Sequence, residues 1–170
     1  PKLHPQIEVH TSDKKKITLD WSNSITALGV YKPMHLLNRL GPLLVGVLLE
    51  VKSDKERYIP TFHVHNLLRS FQIVSLSLNY EITPVKISMH ESKYVDSASE
   101  LKSKALIPFE GDVEISLVLN AYKSYLKNNT GNLMLPYIFE DIVLLSGWSE
   151  STDILKENLI FTQTHMSKWS

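Results

Sequence analysis

The sequence predicts an α+β fold: a mostly antiparallel sheet, made of an N-terminal hairpin and a central meander, packed against C-terminal helices. Two observations carry that expectation. Apolar residues alternate with polar ones, the period of a strand with one wet face, only in the first half of the chain. Helical spacing and helix start and stop residues take over afterwards, and strands followed by helices is the α+β order, unlike the strand–helix alternation of a parallel sheet. The 170 residues show no repeat, linker or low-complexity tract, so a single domain over residues 1–170 is expected.

Along the chain, Ile7 and Val9 alternate with Glu8 and His10, and Ile17, Leu19 and Trp21 alternate with Lys16, Thr18 and Asp20. With a turn at 11–14, these segments read as the N-terminal hairpin. Ser22, Asn23 and Ser24 offer capping oxygens to a short helix from Ile25, which Pro33 interrupts and Gly41 and Pro42 close. Residues 43–51 are apolar on both faces, as an interior strand should be. A polar turn at 53–56 brings the chain back as a second strand over 57–65. Pro60 has no N–H to give to a ladder, which places this strand at an edge or a bulge. Counting back from the turn sets Glu50 against Ile59, Gly46 against His63 and Leu44 against His65.

The alternation of Val74, Leu76, Leu78, Tyr80 and Ile82 with polar residues, and of Val85, Ile87 and Met89 after Pro84, extends the meander. Residues 97–106 are weakly helical. Asp112 caps a helix running to Lys127, with Val113, Leu117, Val118, Ala121 and Tyr125 on one stripe. Pro136 and Gly147 bracket a helix that is apolar nearly all round, with Glu140 and Asp141 as its wet edge. A last helix opens at 151–153 and carries Ile154, Leu155, Leu159, Met166 and Trp169.

Several function classes are excluded by composition. With no cysteine there is no disulfide framework, thiolate nucleophile or thiolate-held zinc. The 18 basic residues are matched by 18 acidic ones, which argues against a nucleic-acid partner, since that binding draws on a basic surplus. The longest apolar run, 43–49, is too short to span a bilayer, so no membrane is expected; with no signal-like stretch at 1–5, the expected setting is cytoplasmic. Glycine-rich phosphate loops, a serine-hydrolase elbow and the H-E-x-x-H zinc pattern are all missing, and no cofactor is expected. Whether the chain is an enzyme stays open, with these absences weighing against it.

The most suggestive residues are His63 and His65. Two positions apart on a strand they share a face, so both rings could approach one ion. A metal site would need a third ligand from a remote segment, such as His35, His90 or Asp20, because Glu50 falls roughly 13 Å along the strand at ~3.4 Å per residue. Glu140 and Asp141, adjacent on a helix, diverge by ~100° and cannot grip one atom together.

Two kinds of function follow. In the first, the chain is a small cytosolic, non-catalytic protein that works by forming a protein–protein complex. An edge strand carrying Tyr58, Phe62, His63 and His65 supplies the anchors, and immunity or antitoxin-like inhibitors of one partner are the comparable class. In the second, His63 and His65 hold a metal that activates water in a hydrolase or nuclease. A variant of the first makes the chain a domain or subunit of a larger bacterial defence or secretion assembly.

Overall fold

The computed structural model of the protein describes residues 9–70, 75–78, 82–129 and 134–167. Its centre is an antiparallel sheet of six strands: β1 (Gly29–Lys32), β2 (His35–Leu40), β3 (Leu43–Val51), β4 (Arg57–Asn66), β5 (Ser75–Leu76) and β6 (Val85–Lys86). The first five lie side by side in chain order, and β6 pairs with the far end of β4. Five helices accompany it: α1 (Thr11–Ser24), α2 (His90–Lys104), α3 (Ile115–Asn128), α4 (Leu135–Trp148) and α5 (Thr152–Met166). The α+β class and a sheet packed against helices are therefore as the sequence predicts.

The register around the central turn is also as expected: Glu50 opposes Ile59, Gly46 opposes His63 and Leu44 opposes His65. Pro60 lies at a local edge of this strand rather than at a bulge. Strand β4 has β3 along its whole length on one side, while β6 covers only Arg57 and Tyr58 and β5 only Val64 and His65 on the other. The ladder begins with Lys52 N–H donating to Arg57 O at 2.9 Å. Its alternation turns the nitrogen of Pro60 away from β3 and into the interval between β5 and β6, where no strand of the described residues pairs with it.

The N-terminal hairpin at 7–21 is corrected. Residues 1–8 lie outside the described residues, and 11–24 form α1. Within α1, Ile17, Thr18 and Trp21 are the buried set, spaced one and three apart, while Leu19 is exposed. That is a helical stripe, and Leu19 alone gave it the look of alternation. Ser22, Asn23 and Ser24 close this helix instead of capping another. Pro33 and Met34 form the tight turn between β1 and β2, with Met34 at a φ of 66°, so a hairpin does precede the central strands, further along than expected.

Of the later strands, 71–74 and 79–81 fall outside the described residues. Leu76, Leu78 and Ile82 are buried as the alternation requires, but strand pairing after Pro84 stops at Lys86 and a 3-10 turn (Ile87–Met89) leads into α2. This helix begins seven positions before the expected start because its inward stripe, His90, Tyr94, Ser97, Ala98 and Leu101, is too polar to read as apolar periodicity. Glu114, not Asp112, precedes α3, with no side-chain cap bond. Ser151 caps α5 by accepting from Ile154 N–H. That helix turns Asn158 and Thr162 inward and leaves Leu159 and Met166 exposed, so of the expected stripe Ile154 and Leu155 alone are half-buried among the described residues, and Trp169 lies outside them. Among the described residues, no helix is long and apolar enough to cross a membrane.

The two faces of the sheet differ. Leu36, Leu43, Val45, Val47, Leu49, Tyr58, Phe62 and Val64 point to one side and are all buried. Contacts from the helical layer arrive on this side: Trp21 of α1 on Tyr58, Phe109 on Phe62, and Asp141 of α4 on Asn66. The opposite side carries His35, Leu37, Leu44, Leu48, Ile59 and Thr61, which are half-buried or exposed, together with the exposed charged residues Arg39, Glu50 and Arg57.

Candidate functional site: the histidine face of the sheet

Strand alternation divides the four residues expected to act together. Tyr58 and Phe62 lie on the helix-covered side and are 0% and 1% exposed, so they are core residues rather than partner anchors. His63 and His65 lie on the other side, where they are 8% and 7% exposed. The period of two already forbids placing Tyr58 and His63 on one face.

His63 owes its position to Gly46. A Cβ at Gly46 would stand 2.4 Å from Leu36 O and 2.7 Å from His63 Nε2, so the ring lies over bare backbone. Reaching across that gap, His63 Nε2 meets His35 Nε2 at 2.7 Å, and Tyr31 stands edge-on to His35 with centroids 5.4 Å apart. The partner that strand geometry brings to His63 is thus His35, from two strands away. Burial, with His35 and His65 close by, pushes His63 down to about 4 and keeps it uncharged near neutrality. His35 is lowered as well, by burial and then by Lys32.

Among the described residues no three His, Asp or Glu side chains come together in a way that could hold a metal ion. The remaining expected ligands, Asp20 and His90, meet each other on the opposite side of the sheet. There Trp21 Nε1–H donates to Tyr58 Oη (3.1 Å), which leaves the Tyr58 hydroxyl to donate to His90 Nδ1 (2.8 Å). His90 Nε2–H is then the donor to Asp20 Oδ2 (3.0 Å). The order Asp–His–hydroxyl is that of an acid–base relay, but it ends in a fully buried phenol that burial pushes up to about 12. Such a hydroxyl meets no substrate, and the chain of bonds ties α1, β4 and α2 together.

Asp141 is corrected in the same sense. It is 1% exposed rather than a wet edge. It accepts from Asn66 Nδ2 (3.0 Å), Arg69 Nε (2.8 Å) and Tyr122 Oη (3.0 Å). Burial pushes its carboxyl up, against the pull of Arg69 and of the other donors. Arg69, its side chain only 3% exposed, is also held by Glu140 and by the Tyr137 carbonyl. The two carboxylates do share a target, because the planar guanidinium offers each its own nitrogen. This cluster pins the chain after β4 to α3 and α4 and leaves no open position.

Fold and site together define an α+β domain with one shielded and one partly open sheet face, the latter marked by paired histidines. Comparison with family models, with curated proteins and with solved structures finds no match to this chain.

Proposed function

We propose that the protein is a non-catalytic binding domain that docks one protein partner on the partly open sheet face. The observation that carries this is the contrast between the two faces: helices pack on one, while the other presents Leu37, Leu44, Leu48 and Ile59 beside uncharged imidazoles, with Tyr31 at its margin. Half-exposed aliphatic and aromatic side chains on a rigid scaffold are the raw material of interface anchors, and the exposed Arg39, Glu50 and Arg57 on the same face give it a charged rim of both signs. The anchors are not the four first expected from the sequence. Tyr58 and Phe62 are replaced by neighbours of His63 on β2 and β3.

Within this class, an inhibitor that inactivates a single partner, in the manner of immunity or antitoxin proteins, fits the size and the missing catalytic motifs. A cytoplasmic setting fits the lack of cysteine. A subunit of a larger defence or secretion assembly would use the same face but leave more than one protein bound. Co-purification of the untagged protein from its native cell separates these outcomes. One stoichiometric partner supports the inhibitor, several support the assembly, and none overturns both. A metal hydrolase is not favoured, since only two nitrogens converge and the acid–base relay is closed.

A further inference from the structure

The two imidazoles that meet over Gly46 have a chemistry of their own. Their Nε2 atoms lie 2.7 Å apart, with the ring planes at 64°. Two neutral rings in this contact share one proton: one Nε2–H donates to the lone pair of the other. The accepting ring must then carry its proton on Nδ1, yet both Nδ1 atoms are buried without a partner. What the pair offers is two Nε2 atoms aimed at one point, while a proton on either Nδ1 is buried without an acceptor and lowers the affinity for anything the Nε2 atoms hold.

We propose that His35 and His63 bind a late first-row divalent cation, Zn2+, Ni2+ or Cu2+, through their two Nε2 atoms, with water in the remaining positions on the open side of the sheet. Two bonds of ~2.0 Å at a tetrahedral angle set the nitrogens ~3.3 Å apart, so the rings need to part by roughly 0.6 Å. Imidazole nitrogen selects these ions over Mg2+ and Ca2+, which take oxygen ligands. Gly46, having no side chain of its own, lets the His63 ring and the Leu37 methyl close over the backbone beneath the site.

Its strength follows from what surrounds it. No third His, Asp or Glu among the described residues completes the set, and neither Nδ1 has the acceptor that normally strengthens a metal-bound imidazole. The ion is thus exchangeable, removed by chelator without unfolding the chain. It neither needs nor supplies catalysis, and it stands or falls separately from the docking face.

Calorimetric titration of the full chain with Zn2+ and with Ni2+, paired with NMR of the histidine ring protons of the wild type, tests the site. The expected result is one ion per chain, with the His35 and His63 signals shifting before those of His65, His90 and His165. Replacing either ligand, as His35→Ala or His63→Ala, should weaken binding at least about tenfold, while His65→Ala should leave it within about twofold. Mg2+ should give no heat. Absence of binding at millimolar ion, or binding that perturbs only other histidines, overturns the proposal, and the wild-type spectra decide this even where a variant fails to fold.

Discussion

At Gly46 the sheet leaves no room for a side chain, and this is the residue on which the histidine pair depends. A methyl there would meet the Leu36 carbonyl and the His63 ring at once, and the carbonyl belongs to backbone that cannot swing aside. Gly46→Ala should cost about 1–3 kcal/mol in urea unfolding, from overpacking. The pairing of Gly46 with His63 was legible in the sequence, because a short polar turn fixes the register of the two strands it joins. That His63 would find His35 was not, since nothing in local spacing reveals which residue a third strand brings alongside. His63 also has a pH signature. Its pKa in the folded chain, about 4, lies below the ordinary 6.5, so the unfolded chain takes up this proton first as pH falls. Stability tied to the neutral ring is whole above about pH 6.5 and drains away toward pH 4, with His35 acting in the same direction. Unfolding free energies measured across this window should fall with pH in the wild type and fall less steeply in His63→Leu. An unchanged slope would mean that another group carries the effect.

Among the elements, the strands with apolar runs and clear turns were readable, and those held by polar contacts were not. Strand β3 and its turn to β4 follow from a continuous apolar run and a charged tip. Helix α1 was hidden because exposed Leu19 sits midway between Ile17 and Trp21, and two periods then fit the same three residues. Helix α2 was hidden because His90, Tyr94 and Ser97 face inward in place of an oily stripe, with His90 bonded to Tyr58 and Asp20 and stacked on Tyr94. The link between β4 and α4 lay furthest from view, resting on Arg69, a residue that sequence habit assigns to the surface. Its energetics are correspondingly uneven. Asp141→Ala would strand a buried guanidinium and should cost about 3–5 kcal/mol. Glu140→Ala removes the exposed partner of the same arginine and should cost about 0–1 kcal/mol. Comparable losses for the two variants in urea unfolding would contradict the burial that distinguishes them.

For the whole molecule, the half-covered sheet is the feature from which function follows. An antiparallel sheet tolerates one solvated face, but that face is ordinarily polar, and here aliphatic residues interrupt it. The edge strand β1 offers a poorer docking site: it has four residues, a register shift between Val30 and Lys32, and a lysine at its end, all of which discourage strand addition. The class of fold was legible from the order of strands and helices. The proposed docking face was not, since it is assembled from alternate residues of strands that only the tertiary structure sets side by side. The most direct measurement places a charge on that face and compares it with the same change elsewhere. Leu48→Glu, on β3, and Val95→Glu, exposed on α2, should leave the thermal midpoint nearly unchanged. In co-purification from the native cell, Leu48→Glu should lose the stoichiometric partner that the wild type and Val95→Glu retain. Retention of that partner by Leu48→Glu, or its loss from Val95→Glu alone, would contradict docking on the histidine face.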